Sequence, residues 1–321
     1  MSIDAPTRDR IAATLMEIAC RAGEILKRHH GGDCPHVLKP DGSPASQADS
    51  ESEAFILAEL ARAWPGIPVI AEESSYDQPP APLFFLVDPL DGTRDFLAGN
   101  AEYSVNIGLI AGDRPIAAAL AAPGLGRVWG AGGQAFEAEI RNGHLGARLP
   151  IAVRPRPDQG LVALRSNRHG DIETETCLGA LRVGSTRSAA SALKFCLIAA
   201  GEADIYVRCG PTMEWDTAAG DHILTVAGGC VVAPAGRPMT YGHYTRNYRN
   251  GPFAALGDAS YAANLVLPER SPSARPADRH APQDAHRICA PGALIPGNPA
   301  RSDPSASASA APPRRRDAAP R

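Results

Sequence analysis

A short apolar run, residues 84–87 (Phe-Phe-Leu-Val), passes directly into two aspartates, Asp88 and Asp91, and then into Gly92-Thr93. A run of this kind bounded by a turn reads as a buried strand. Pro89 presets the first turn position after it. The strand therefore delivers Asp88 and Asp91 to one place, with the Leu90 carbonyl between them. Two close carboxylates repel and raise each other's pKa, and a hard divalent cation removes that conflict. Gly92 permits close backbone approach, and a helix starting near Thr93 offers amides to an anion. The local pattern is a cation site touching a phosphate site, the pairing that metal-assisted phosphoryl chemistry uses. Taken alone, the segment also reads as an ordinary acidic turn. The alternating oxygen ligands of an EF-hand are missing from it.

The flanking pattern places this strand in a mixed fold. Ile11, Leu15, Ile18, Ala22 and Ile25 recur at helical spacing, and Gly31-Gly32 ends that helix. A second helix is expected over 49–64, stopping at Pro65. Strands are expected at 68–71, 83–87, 105–110, 116–122 and 127–129, with a hairpin turn at Asn142-Gly143. After residue 155 the texture becomes α/β. Strands are expected at 161–164 and 204–207, with another starting at Val231-Val232. Helices are expected at 173–181, from a Ser191 cap to Ala200, and at 216–227. This implies an α/β (mixed α+β) body of layered sheets and helices. Its expected parts are residues 1–154, with most of the candidate metal ligands, and residues 155–262.

From Tyr261 onward the chain carries nine arginines and no lysine against five acidic residues, about +4 in a chain of net charge −3. The rest is then near −7. This stretch holds 11 of the 30 prolines and lacks hydrophobic periodicity, so residues 263–321 are expected to form a disordered tail. Without a strongly basic domain, a nucleic-acid partner is not expected. Seven scattered cysteines without a CxxC pair argue against a disulfide framework and for a reducing, cytoplasmic setting. No signal peptide and no membrane-spanning run are expected. The Arg314–Arg316 cluster leaves room for a peripheral contact with an anionic surface such as the cytoplasmic face of a membrane.

Two more acidic segments sit at element ends. Glu72-Glu73 follow an apolar strand, and Asp216 precedes an Ala-Ala-Gly helical stretch. Each has a plain alternative, a solvated pair for the first and a helix N-cap for the second. Glu214 reads as a surface charge.

Together, AEES (71–74), DPLDGTRDF (88–96) and WDTAAG (215–220) resemble the signature segments of the lithium-sensitive, magnesium-dependent phosphatase superfamily. Its members include inositol monophosphatases, fructose-1,6-bisphosphatases and 3′(2′),5′-bisphosphate nucleotidases. The resemblance spans roughly residues 7–260. Segments 86–110, 191–206 and 208–220 look most like the bacterial bisphosphate nucleotidases of the CysQ type. It implies the superfamily's layered αβαβα sandwich and two or three Mg²⁺ ions, held by Glu72, Asp88, Asp91, Asp216 and the Leu90 carbonyl. It implies that Gly92 and Thr93 bind the scissile phosphate. Thr93 with Asp49, aided by Glu72, would activate water, and Glu73 would lie just behind. Asp49 belongs to SPASQAD (43–49), similar to the family's SPVT-x-AD loop. Ser46 stands where the family has threonine, and Ala190-Ser191-Ala192 replaces Gly-Ser-Ser, which leaves nucleotide contacts at Ser191 open.

Arg208 bears on substrate choice. Inositol monophosphatases usually carry an acidic residue at the comparable position, whereas a fixed cation suits a second phosphate. Lys194 is either a helper here or a packed helix residue with a snorkelling amine. The expected reaction is hydrolysis of the 3′-phosphate of adenosine 3′,5′-bisphosphate to AMP and phosphate, and the resemblance implies that this clears a by-product of sulfur assimilation. The alternatives are inositol-1-monophosphatase or fructose-1,6-bisphosphatase activity. A non-enzymatic metal- or nucleotide-sensing protein would be expected to lack at least one metal carboxylate.

Overall fold

The computed structural model describes residues 3–32, 34–40, 42–74, 76–166 and 171–269. Helix α1 (Ala5–His29) starts where the Asp4 side chain accepts the Thr7 amide at 2.8 Å, and closes with Lys27, Arg28 and His29 in its last turn. Both ends suit the helix dipole. The short strands β1 (His36–Leu38) and β2 (Pro44–Ser46) form a hairpin that feeds α2 (Gln47–Ala63). Ser46 and Asp49 cap α2 reciprocally. Next come β3 (Val69–Ala71), β4 (Leu83–Asp91) and the single-turn α3 (Thr93–Leu97). A meander follows: β5 (Ser104–Ala111), β6 (Arg114–Ala122), β7 (Arg127–Ala131), β8 (Ala135–Arg141), β9 (His144–Leu145) and β10 (Leu149–Pro150).

The second half holds β11 (Leu161–Ser166), α4 (Ile172–Gly179), β12 (Val183–Ala189), α5 (Leu193–Ala199), β13 (Ile205–Arg208) and β14 (Thr212–Met213). It ends with α6 (Ala218–Val226), β15 (Cys230–Val232), β16 (Arg249–Asn250) and β17 (Phe253–Leu256).

The first sheet has the order β10-β8-β7-β6-β5-β4-β3, with β9 paired to β8 and only β3–β4 parallel. The second runs β12-β11-β13-β17-β15. Side chains alternate along a strand, so β4 serves two cores. Phe85 and Val87 pack with Leu15 and Ile18 of α1 and Ile56 of α2. Phe84 and Leu86 pack with Leu193 and Phe195 of α5 and Ile223 of α6. The same α5/α6 layer covers one face of the second sheet through Leu164, Tyr206 and Phe253. Ala163, Ile205 and Val207 on the other face meet Cys177 and Leu178 of α4. The layers are thus α1/α2, sheet, α5/α6, sheet and α4, the αβαβα sandwich. Gly220 of α6 lets the central helices touch. A Cβ there would stand 2.5 Å from Phe195 Cγ.

Ser191 sits in the left-handed region at φ 51°, one residue before the Ala192 cap position, and its Oγ accepts the amide of Leu193, the first residue of α5, at 3.3 Å. Two expectations are corrected. Asp216 does not open the long helix. Its carboxylate accepts the Met213 amide at 2.8 Å, which closes a separate 3₁₀ turn at Glu214–Asp216 before α6 begins. Folded structure also continues past residue 262, because Leu267 is buried against the α4 side of the second sheet, with Leu265 packed beside it. The remainder of the expected tail, from residue 270, lies outside the described residues. The six cysteines among the described residues are free thiols. Among the described residues no helix is long and apolar enough to cross a membrane.

Candidate active site

The site forms where β4 ends. Asp88 pairs with Asn106 and Asp91 with Ser104, and the register shifts between them. Pro89 and Leu90 therefore stand opposite Val105 alone, a bulge of one extra residue. Ser52 Oγ of α2 donates to the Pro89 carbonyl at 3.0 Å and fixes that bulge. Gly92 then turns at φ 90°, and its backbone oxygen receives the amides of Asp95 and Phe96 to start α3. Asp216 arrives from the 3₁₀ turn, and Glu72 from just beyond β3.

These four acids face one another. Burial is the main force holding Asp88 well above the usual carboxylate range, followed by the charges of Glu72, Asp91 and Asp216. Burial likewise raises Asp216, with Asp91 and Glu72 next. Burial raises Asp91 too, against the pull of Lys194 and the Ala192 amide, which donates to Asp91 Oδ2 at 2.5 Å. Among the described residues no three acidic, His or Cys side chains stand as a closed ligand cluster. Lys39 of the β1–β2 hairpin occupies Glu72, with Nζ 2.7 Å from Glu72 Oε1 and 2.6 Å from Glu73 Oε1. Buried like charges facing one another, with donors that are all oxygen, fit a hard divalent cation.

Asp49 is buried beside this group. Its Oδ2 accepts both the amide and the hydroxyl of Ser46, at 2.8 and 2.6 Å. Burial raises its pKa while those bonds oppose the rise. Thr93 Oγ1 lies 3.2 Å from Asp49 Oδ1 and 3.0 Å from the Leu90 carbonyl. The serine that replaces the usual threonine at position 46 keeps its bond to Asp49. Glu73 is pushed up to about 7 by burial, and its amide donates to the buried Glu53.

A cavity of about 490 Å³ opens over the group. Glu72, Asp91, Gly92, Thr93 and Asp216 line one side, and Ser191, Lys194 and Arg208 also line it. Asp49, Asp88 and Leu90 are buried and are not part of its lining. Arg208 donates to Ser166 Oγ at 3.3 Å and to the Pro211 carbonyl at 3.2 Å, and its buried Nε has no partner. Lys194 is not a snorkelling surface amine. It is buried, donates to the Ser191 carbonyl at 2.6 Å, and is lowered to about 8 by burial despite Asp91 nearby.

The structure adds residues that the sequence did not point to. Lys39 stood out only as one of three lysines. Arg249 lines the cavity because β16 pairs with β14, setting it opposite Met213, three residues before Asp216. Glu214 is fully buried rather than a surface charge. It accepts the amides of Gly242 and His243 at 2.5 and 3.0 Å and contacts His243 Nδ1 at 2.6 Å. The 3₁₀ turn directs it inward, opposite to Asp216's use of the same turn.

The five-layer fold, with an oxygen-lined acidic floor facing a cationic wall, defines a phosphatase of the inositol monophosphatase superfamily. The chain belongs to the inositol monophosphatase family, whose model matches residues 7–264. It is 37% identical over 235 residues to the 3′(2′),5′-bisphosphate nucleotidase CysQ of Escherichia coli strain K12, covering 70% of this chain and 91% of that protein. It superposes on the crystal structure of CysQ from Bacteroides thetaiotaomicron with TM-score 0.65 at 28% identity, over 77% of this chain and 97% of the other. The suhB protein of Bartonella henselae shares the fold, with TM-score 0.64 at 24% identity over 79% and 96% of the two chains.

Proposed function

We propose that the protein hydrolyses the 3′-phosphate of adenosine 3′,5′-bisphosphate, releasing AMP and phosphate. The observation that carries this reading is the pairing, in one cavity, of a carboxylate floor with the Arg208 and Lys194 cations. A substrate with two phosphates presents one to each side. The likeness to two CysQ proteins supports the same substrate class.

Two or three Mg²⁺ ions would be held by Glu72, Asp88, Asp91, Asp216 and the Leu90 carbonyl. Bound there, they supply Lewis acidity to the phosphoryl oxygens and to water. The chain's own groups do the rest. Thr93 Oγ1 and Asp49 lie within hydrogen-bond reach of each other and form a relay that takes the proton of the attacking water. Glu72 borders the same cavity and aids that step. The backbone of Gly92 and Thr93 orients the scissile phosphate. Arg208 holds the remote phosphate bidentately, and Ser191 lines the cavity beside it.

The free thiols support a reducing cytoplasmic setting, checked by following a fluorescent fusion after cell fractionation. Phosphate release from a substrate panel tests the whole reading. With Mg²⁺, kcat/KM is highest for adenosine 3′,5′-bisphosphate, millimolar Li⁺ inhibits, and Arg208→Gln raises KM chiefly for that substrate. Faster release from inositol 1-phosphate or fructose 1,6-bisphosphate would assign the protein to one of those activities instead.

A further inference from the structure

A second and larger cavity, about 800 Å³, shares only Arg249 with the first, and none of the four site carboxylates lines it. Its wall carries four arginines: Arg114, Arg237, Arg246 and Arg249. Two acids, Asp113 and Glu269, are the carboxylates in its lining. Arg114 is already satisfied, 3.0 Å from the buried Asp221. His243, also in the wall, is committed to Glu214. Arg237 Nε donates to the Pro234 carbonyl at 3.1 Å. Among the described residues, Arg237, Arg246 and Arg249 make no ion pair.

Three guanidiniums without an ion-pair partner among the described residues repel one another around one cavity, and they do so on a body that is acidic as a whole. An oxyanion removes the repulsion and uses their paired donors. The volume falls in the range of small-molecule sites. Met239, Pro238 and Pro252 give the cavity apolar wall, which a bare inorganic ion would leave unused. The chain's own residues 270–321 are an unfit occupant, because they carry nine arginines against four aspartates.

We propose that this cavity binds a small organic molecule with two oxyanion groups on an apolar body, as a second site that adjoins the active site through Arg249. Arg237 and Arg246 hold one oxyanion at the outer end. Arg249, which lines both cavities, holds the other.

Naphthalene-1,5-disulfonate is a suitable probe, because its sulfonates are poor ligands for Mg²⁺ and it carries an apolar ring. It is titrated calorimetrically into the full chain in the presence of Mg²⁺. One equivalent binds to the parent, and Arg208→Gln, altered only in the active-site cavity, binds it unchanged. Arg246→Gln weakens it about tenfold, and the Arg237→Gln/Arg246→Gln pair weakens it further. Circular dichroism confirms that each variant is folded, and the single variant carries the test if the double one is not. No binding to the parent, equal binding to Arg246→Gln, or loss of binding in Arg208→Gln alone would each overturn the proposal. None of these outcomes depends on which phosphate ester the active site hydrolyses.

Discussion

At the residue scale the site is a stability problem that the fold tolerates. Asp88 makes the case clearly, since burial and three like charges raise it and no neighbouring cation is among its main influences. Asparagine in its place keeps an oxygen for the Leu90 amide, which Asp88 accepts at 3.0 Å. Asp88→Asn therefore melts at or above the parent in EDTA, by up to about 1–2 kcal/mol. It loses the melting-temperature rise that Mg²⁺ gives the parent, and turnover falls at least about a hundredfold. Paired melts with and without Mg²⁺ check this, and a variant less stable than the parent in EDTA would mean that the carboxylates do not repel. His222 poses the opposite problem. It is buried near the Gly132 carbonyl at 3.2 Å, and burial lowers it from 6.5 to about 4. Its folded pKa lies below its unfolded one, so its contribution is complete above pH 6.5 and is lost as the pH falls toward 4. The size is about 3 kcal/mol. Urea midpoints at pH 7 and pH 4.5 should fall less steeply for His222→Gln than for the parent.

At the element scale, what could be read from the sequence depended on whether an element carries its own pattern. The β4 strand was legible because its core-facing residues are consecutive and apolar, and its end is marked by Asp88 and Asp91. Helix α1 was legible from its period. Strand β12 was not, because Val183–Ala189 is a mostly exposed edge with a polar sequence, and only its parallel pairing to β11 makes it a strand. Arg249 was invisible for a related reason, since a two-residue ladder places it and nothing local marks such a ladder. Glu72, Asp91, Gly92, Thr93, Asp216, Ser191 and Arg208 do meet at one cavity, with Asp49 and Asp88 buried beside it. The inward turn of Glu214 could not be read, because adjacent residues of a 3₁₀ turn look alike in sequence. The contact of α5 with α6 is a further property of elements. Gly220→Ala forces a methyl against the Phe195 ring and should cost about 1–3 kcal/mol, read as a lower urea midpoint with an unchanged m-value. An unaffected midpoint would mean that the two helices separate freely.

At the scale of the whole molecule, the acidic body and the basic C-terminal stretch divide later than composition alone implies. The apolar residues that end the body, Tyr261 and Leu267, are buried against the α4 side of the second sheet. Cys177 Sγ donates to the Val266 carbonyl at 3.1 Å and ties that segment to α4. None of the residues assigned to the reaction lies beyond Asp216. Removing residues 270–321 therefore leaves kcat/KM and melting temperature at the parent's values, even though it deletes nine arginines. Cutting instead after Asp258 strips Tyr261, Leu265 and Leu267 from the sheet. Losing two well-buried side chains costs roughly 3–6 kcal/mol, a large part of a domain's net stability. That shorter chain should unfold at markedly lower urea and lose activity in step with its folded fraction. Loss of turnover on cutting at 270, with stability unchanged, would show that the basic stretch takes part in catalysis.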